Sequence, residues 1–353
     1  MNATPTPPPL RTILAAVGFS AASRDAMIQA ARLAGVGTGG TTAEMGETDL
    51  RVLHVVPSEA AECHIMDWPT ADCDAEAALA SRARTLLVTL VSEVLPTERR
   101  SNEGGGSAVA TGCGKVHADI TVGSPLREIL RAVKSSHADL LVMGLSERTG
   151  LHGAGTLASA CLRKAPTKVL LARPGHTGSF RTIVVGVDFS DTSRRALVQA
   201  FRVARQDGSV VHVLHAFSGP WQQWPYRGAA PEARPDAIRQ YTDGLQRRLE
   251  AFAGDIGVEV AGVNTTFAVV DGQSHGDVLA DYAREHDADL IVMGTRGRTN
   301  LRYVLLGSTA ERIVRQAPCS ILAIKPDEIS IDIALSRLKP PRTEPARRTT
   351  SEK

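Results

Sequence analysis

Aromatic side chains are scarce, at 4% of 353 residues. That is too few for the stacking platforms on which single-stranded nucleic acids are held. No charge of one sign is in excess: 40 Lys and Arg face 38 Asp and Glu, for a formal net charge of +2. Nothing in that balance draws the chain to nucleic acid or to an anionic membrane. Cysteines are few and odd in number (Cys63, Cys73, Cys113, Cys161, Cys319), so they do not make a disulfide framework. No apolar run approaches the roughly 20 residues of a membrane span. The opening MNATPTPPPL lacks the basic start and apolar stretch of a secretory signal, and a reducing cytoplasm is the expected compartment. H-E-x-x-H and a convincing Ser/His/Asp set are absent as well, which leaves no zinc-protease machinery.

What is present is ordinary globular composition, 43% hydrophobic and 22% charged, long enough at roughly 150 residues per domain for two cores. The chain also repeats itself. RTILAAVGFSAASRDA (11–26) matches RTIVVGVDFSDTSRRA (181–196) at 9 of 16 positions, and HADLLVMG (137–144) matches DADLIVMG (287–294) at 6 of 8. KAPTKVLLARP (164–174) parallels QAPCSILAIKP (316–326). The pairs fall in the same order at offsets of 170, 150 and 152 residues, the signature of a duplicated domain rather than of a short solenoid repeat. The expected divisions are a disordered N-terminal tail (1–10), a first domain (11–174), a Gly-containing linker (175–180), a second domain (181–326) and a mostly disordered C-terminal tail (327–353). Ile329 to Leu338 could form one short helix in that tail.

The second copy is the cleaner one. Thr182 to Val187 is a β-branched run; Ser190 or Asp191 can cap a helix whose apolar positions are Ala196, Leu197, Ala200, Phe201 and Ala204; Gly208 stops it. Further strands are expected at Val210 to Ala216, within Val258 to Ala268, at Leu290 to Met293 and at Ser320 to Ile324, with helices between them. This β-α-β-α-β-α-β-α-β alternation specifies a parallel sheet covered on both faces. A ligand then belongs beyond the carboxyl ends of the strands, at the switch point in strand order.

After the fourth strand comes GTRGRTNLRYVLLGST. Two residues separate Gly294 from Gly297 and nine separate Gly297 from Gly307, after which Ser308 and Thr309 open a helix. Glycines let the backbone turn and let a phosphate approach it; the free N–H groups and dipole of the helix start favour an anion. Arg296, Arg298 and Arg302 make the loop basic. The spacing leaves an alternative open, because Ser308 with Glu311 is also an ordinary capping box that needs no ligand.

The strand ending in Val-Asp, then DLIVMGTRG, nine residues and GST resembles the universal stress protein family, whose nucleotide-binding members carry G-x2-G-x9-G-[ST]. The pattern falls on Gly294, Gly297, Gly307 and Ser308. The resemblance covers both copies and is similar to the tandem form, in which two domains on one chain imitate the family's dimer. It implies two Rossmann-like domains of the adenine nucleotide alpha hydrolase type, each a five-stranded parallel sheet of order 3-2-1-4-5. They would pair through their last strands, Lys168–Ala172 and Ser320–Ile324. It implies ATP as cofactor, with or without Mg2+, bound in the second domain by Asp188 at the nucleoside end and by Gly294, Gly297, Gly307 and Ser308, beside which Arg296 adds positive charge and Thr309 a hydroxyl. The role implied is a nucleotide-dependent regulator or interaction module of the stress response, with an unidentified protein partner and a possible homodimer. A slow ATPase or self-phosphorylating protein, and a nucleotide-free scaffold, are the alternatives.

The first copy departs from the pattern. Gly18 stands in the place of Asp188, Glu147 in the place of Gly297, and only seven residues separate Glu147 from Gly155 and Thr156. A carboxylate facing a triphosphate repels it, so weak or no ATP binding is expected there. GVGTGG (35–40) and GGGSAVATGCGKV (104–116) imitate nucleotide loops in the wrong context or with the wrong residues. Cys63, His64, Asp67 and Cys73 match no standard zinc spacing. His54 and His215 occupy equivalent places and suit either a pocket or a backbone hydrogen bond, while Trp221, Trp224 and Tyr226 suit a lid or simple packing.

Overall fold

The computed structural model describes residues 10–36, 48–57, 74–95, 108–110, 115–145, 156–222, 235–257, 262–297 and 306–326. The first repeat runs β1 (Thr12–Ala16), α1 (Ala21–Leu33), β2 (Asp49–Pro57), α2 (Asp74–Val94), β3 (Ala108–Ala110), β4 (Lys115–Gly123), α3 (Pro125–Ser135), β5 (Leu140–Gly144), α4 (Thr156–Lys164) and β6 (Lys168–Ala172). The second runs β7 (Thr182–Gly186), α5 (Asp191–Asp207), β8 (Val210–Phe217), a 3-10 turn (Pro220–Gln222), α6 (Pro235–Gly254), β9 (Thr265–Asp271), α7 (His275–Glu285), β10 (Leu290–Gly294), α8 (Ser308–Gln316) and β11 (Ser320–Ile324).

The strands form one sheet in the order β3-β4-β2-β1-β5-β6-β11-β10-β7-β8-β9. Within each repeat the long strands are parallel. Alternate residues of β7 enter different apolar layers: Ile183 and Val185 join one, Val184 the other. Each layer extends across both repeats. Burial on two faces is why these strands are continuous apolar runs rather than alternating ones. Each fully buried Ile or Val stabilises the sheet by about 1.5–3 kcal/mol.

α5 starts at Ser190, whose hydroxyl accepts from Ser193 N at 3.1 Å, and ends at Gly208, which takes the left-handed conformation (φ 69°) that favours glycine. All five of its predicted apolar positions are buried. Two expectations need correction. The first repeat carries a sixth strand, β3, antiparallel to β4, in the stretch whose glycines imitate a nucleotide loop. In the second repeat the third strand runs past the expected end at Ala268 to Asp271, because β8 pairs with it as far as Phe217 opposite Asp271. Of the expected tails, residues 1–9 and 327–353 lie outside the described residues, as does the suggested helix from Ile329 to Leu338, while Leu10 packs against the core.

The repeats meet edge to edge. β6 and β11 pair antiparallel, with Leu170 opposite Leu322, so two sheet edges cover each other. The seam is reinforced almost symmetrically. Arg173, just after β6, donates to Ala317 O at 3.4 Å beyond α8; Lys325, just after β11, donates to Leu162 O and to Arg163 O at the end of α4. A basic group at a helix carboxyl end also complements its dipole. On the linker side, Arg32 pairs with the buried carboxylate of Asp207, and Gln29 donates to His176 O and Gly178 O at 3.0 and 2.9 Å.

Burial, with Arg296 nearby as the smaller cause, pushes the Lys325 ammonium down from 10.5 to about 7. The unfolded chain then holds more protons than the folded one above neutrality, so stability rises with pH in that window. The buried Cys161 and Cys319 thiols, pushed up from 9.0 to about 12 by burial, act the opposite way only above their ordinary value. The thermal midpoint is therefore expected to rise from about pH 7 to about pH 9 in the parent and to lose that rise in Lys325→Met. Equal pH slopes in the two proteins would refute the assignment.

Candidate functional site

A cavity of about 570 Å³ opens at the carboxyl ends of β7, β8 and β10, with the start of α8 in its wall. It lies at the switch point of the second repeat, where β7 has β8 on one side and β10 on the other. Asp188, Gly294, Arg296, Gly297, Gly307, Ser308 and Thr309, the predicted site residues, all line it.

Asp188 follows β7. Its Oδ1 accepts from Ser190 N at 3.0 Å and Ser190 Oγ at 2.5 Å, tying it to the cap of α5. Its Oδ2 lies 2.7 Å from where a β-carbon on Gly297 would stand. Gly297 is therefore glycine to leave room for this carboxylate. A β-carbon at Gly294 would come within 3.0 Å of Thr192 Cγ2. The expected freedom from side-chain collision is what Gly294 and Gly297 supply, and neither they nor Gly307 adopt positive φ.

The capping-box alternative is also corrected. Gly307 is the N-cap of α8 (φ −73°, ψ 156°) and has no side chain with which to cap the helix; Ser308 is its first residue. Glu311 instead meets Arg163 across the seam at 3.4 Å. The loop entrance is fixed by Thr295, wholly buried, whose N and Oγ1 donate to Ile324 O at 2.9 and 3.2 Å and whose carbonyl accepts from Gly307 N at 2.9 Å. The first turn of α8, with a glycine N-cap and two hydroxyl residues, thus lines the cavity. That is an arrangement for an anion.

Several lining residues carry no sequence motif. Phe189 has φ 64°, an outlier for an aromatic residue that costs about 1–3 kcal/mol unless its surroundings hold it. They do: His215 lies at 4.5 Å, Phe252 at 5.5 Å, and the Arg248 guanidinium 4.3 Å over the ring. Tyr241, Leu245 and Arg248 of α6 line the mouth; their i, i+4, i+7 spacing, which places them on one helix face, was the available signal. His275 also lines the cavity, with Nε2 3.2 Å from Ser218 Oγ. His215 serves both expected uses: it lines the cavity, and its Nδ1 meets Val187 O at 2.7 Å. Burial first, then the nearby His275 and Arg248, hold its pKa below the ordinary histidine value, against the Val187 hydrogen bond and Asp188. Trp221 packs at 5.7 Å from Tyr241 and donates to Asp271 Oδ2 at 3.2 Å.

In the first repeat, His54 makes the equivalent bond to Val17 O at 2.8 Å. Gly18 N binds Ser23 Oγ at 3.0 Å where the second repeat has its carboxylate. Gly144 is locked: a β-carbon there would lie 2.4 Å from Ala22 O. Glu147, Gly155, Arg298, Arg302, Trp224, Tyr226 and the Cys63, His64, Asp67, Cys73 group lie outside the described residues. Among the described residues no group of three or more His, Cys, Asp or Glu side chains could hold a metal ion, and no helix is long and apolar enough to cross a membrane.

These features define a tandem α/β protein: two parallel-sheet units joined edge to edge, with a strand-end cavity facing a helix N-terminus in the second. The chain belongs to the universal stress protein family, whose model matches residues 9–173 and again 179–325. It is similar to a universal stress protein of Methanocaldococcus jannaschii, 28% identical over 147 residues, covering 41% of this chain and 82% of the relative. It is also similar to universal stress protein E of Escherichia coli K12, 34% identical over 187 residues, covering 49% of this chain and 56% of the relative. Among solved structures, a universal stress protein from Archaeoglobus fulgidus superposes with a TM-score of 0.54 over 89% of this chain and 98% of that one, at 16% identity. That likeness concerns the fold.

Proposed function

We propose that the second repeat binds ATP and that the chain serves as a nucleotide-dependent stress-response module, with its first repeat a partner in the seam that binds no nucleotide. The observation that carries this reading is the convergence of Asp188, Arg296, the two loop glycines and the glycine-capped start of α8 on one cavity. A volume of about 570 Å³ is within the range of small-molecule sites. In this reading the α8 amides, Ser308 and Thr309 hold the phosphates. Arg296 supplies positive charge, and Asp188 accepts a hydroxyl hydrogen bond from the ribose. Mg2+ would accompany the triphosphate and offset its charge.

Asp188→Ala is expected to weaken ATP binding by about 1–3 kcal/mol, the usual loss when one buried polar partner is removed, or roughly 5- to 150-fold. Calorimetric titration of the full chain checks this. Unchanged affinity, or no ATP binding by the parent, would overturn the assignment. Because a ligand of the native state raises its stability, the thermal shift of the parent with millimolar ATP is an independent check.

A further inference from the structure

We propose that Arg248 determines base specificity in this cavity: its guanidinium, backed by the Phe189 ring, is the plane on which a purine base stacks. The proposal rests on the nucleotide reading of the cavity and adds a residue and a selectivity to it.

The cavity is polarised. Its loop side carries Arg296 and the start of α8; its other lining includes Phe217, Ser218, His275 and one face of α6. With phosphates on the loop side and the sugar near Asp188, the base falls against α6. That helix divides its surface: Leu249 and Ala253 are buried in the core, while Tyr241, Leu245 and Arg248 line the cavity. Arg248 is the planar group among these three that carries charge. Its Cζ lies 4.3 Å from the centre of the Phe189 ring, so one side of the guanidinium is covered and its place is held. An exposed arginine side chain ordinarily keeps its rotamer freedom; one laid on a ring has already lost part of it, so stacking a second plane upon it costs less entropy.

The backbone agrees with this role. Phe189 is strained (φ 64°), and strain held in place by surrounding contacts gathers at ligand sites. It aims the ring between His215, Phe252 and Arg248. The first repeat retains the ring pair, Phe19 and His54 at 4.3 Å. Yet Phe19 is 47% exposed, has no positive φ, and bears no cation–π contact among the described residues. The guanidinium platform belongs to the repeat with the complete glycine pattern. Guanidinium planes hold bases by stacking, and a bicyclic purine covers more of such a plane than a pyrimidine. Lysine offers the charge without the plane.

The test is calorimetry on the full chain with ATP, CTP and inorganic tripolyphosphate, comparing the parent with Arg248→Lys and Arg248→Met. The parent is expected to prefer ATP over CTP by about tenfold, within the range of one base stacking on a planar group. Arg248→Lys should bring ATP to the CTP level and leave tripolyphosphate unchanged within about twofold; Arg248→Met should lose the same preference. An ATP-to-CTP ratio of one in the parent, or a ratio retained in Arg248→Lys, would overturn the proposal. So would a loss of tripolyphosphate parallel to that of ATP, which would make Arg248 a phosphate contact. If the parent binds neither ATP nor tripolyphosphate, the nucleotide reading fails together with this one. If tripolyphosphate binds and only base selectivity fails, the nucleotide reading stands and Arg248 is refuted.

Discussion

Gly307→Val should leave the fold standing and remove ATP binding. Among the described residues, a β-carbon on Gly307 would meet only Thr295 O, at 3.5 Å, which is ordinary contact. The backbone there (φ −73°, ψ 156°) is extended and open to a β-branched residue. Loss of a glycine N-cap to valine costs about 1 kcal/mol or less, a drop of about 2–4 °C in thermal midpoint. The added methyl groups, however, stand at the mouth of the α8 start, where the phosphates are placed. Overpacking of about 1–3 kcal/mol, together with charge-assisted hydrogen bonds of about 1.5–3 kcal/mol each that can no longer form, predicts a loss of about 100-fold or more. Titration calorimetry and a melting curve on the same sample read both halves of the result. Retained ATP affinity in a folded variant would show that the start of α8 is not the phosphate site.

The second large effect is a coupling between Asp188 and Gly297. Because a β-carbon at 297 would come 2.7 Å from Asp188 Oδ2, Gly297→Glu forces a steric conflict and sets two carboxylates together. It should cost about 2–3 kcal/mol of stability. Asp188→Gly, made in the same chain, removes the obstacle, so the double variant should recover most of the loss, with an interaction energy of about 1–3 kcal/mol. It should nevertheless bind no ATP. The chain supplies its own precedent, since the first repeat has Gly18 and Glu147 at the matching positions. Urea midpoints for the parent, both single variants and the double variant close the cycle. Strict additivity would mean that the two positions do not act on each other.

This pair shows where sequence reasoning stopped. Both residues stand out in the sequence, one by a strand end and one by a spacing of glycines. Their mutual contact does not, because 109 positions separate them (297 − 188) and only the adjacency of β7 and β10 brings them together. The motif announced a backbone with no room for a side chain; only the structure names what fills that room at Gly297, the Asp188 carboxylate, with φ staying ordinary. Ser308 and Glu311 had the right spacing for a capping box. Glu311 is drawn instead to Arg163 of the other repeat, a competitor that local sequence cannot reveal. Phe189 stands out in the sequence only as a repeated position and Arg248 not at all: one owes its place to a strained turn, the other to one face of α6.

The sequence by itself determined the duplication, the alternation of strands and helices, the buried strands and the loop whose residues line the cavity. Those follow from local spacing and from apolar runs that only a doubly covered sheet can bury. The family resemblance already placed the join at the two last strands; tertiary structure alone decided its register, Leu170 opposite Leu322, and the Arg173 and Lys325 contacts across the seam. It also decided which far-separated side chains surround the cavity. Such choices depend on distances between elements that are remote along the chain, and residue spacing carries no record of them until the sheet has set the order of its strands.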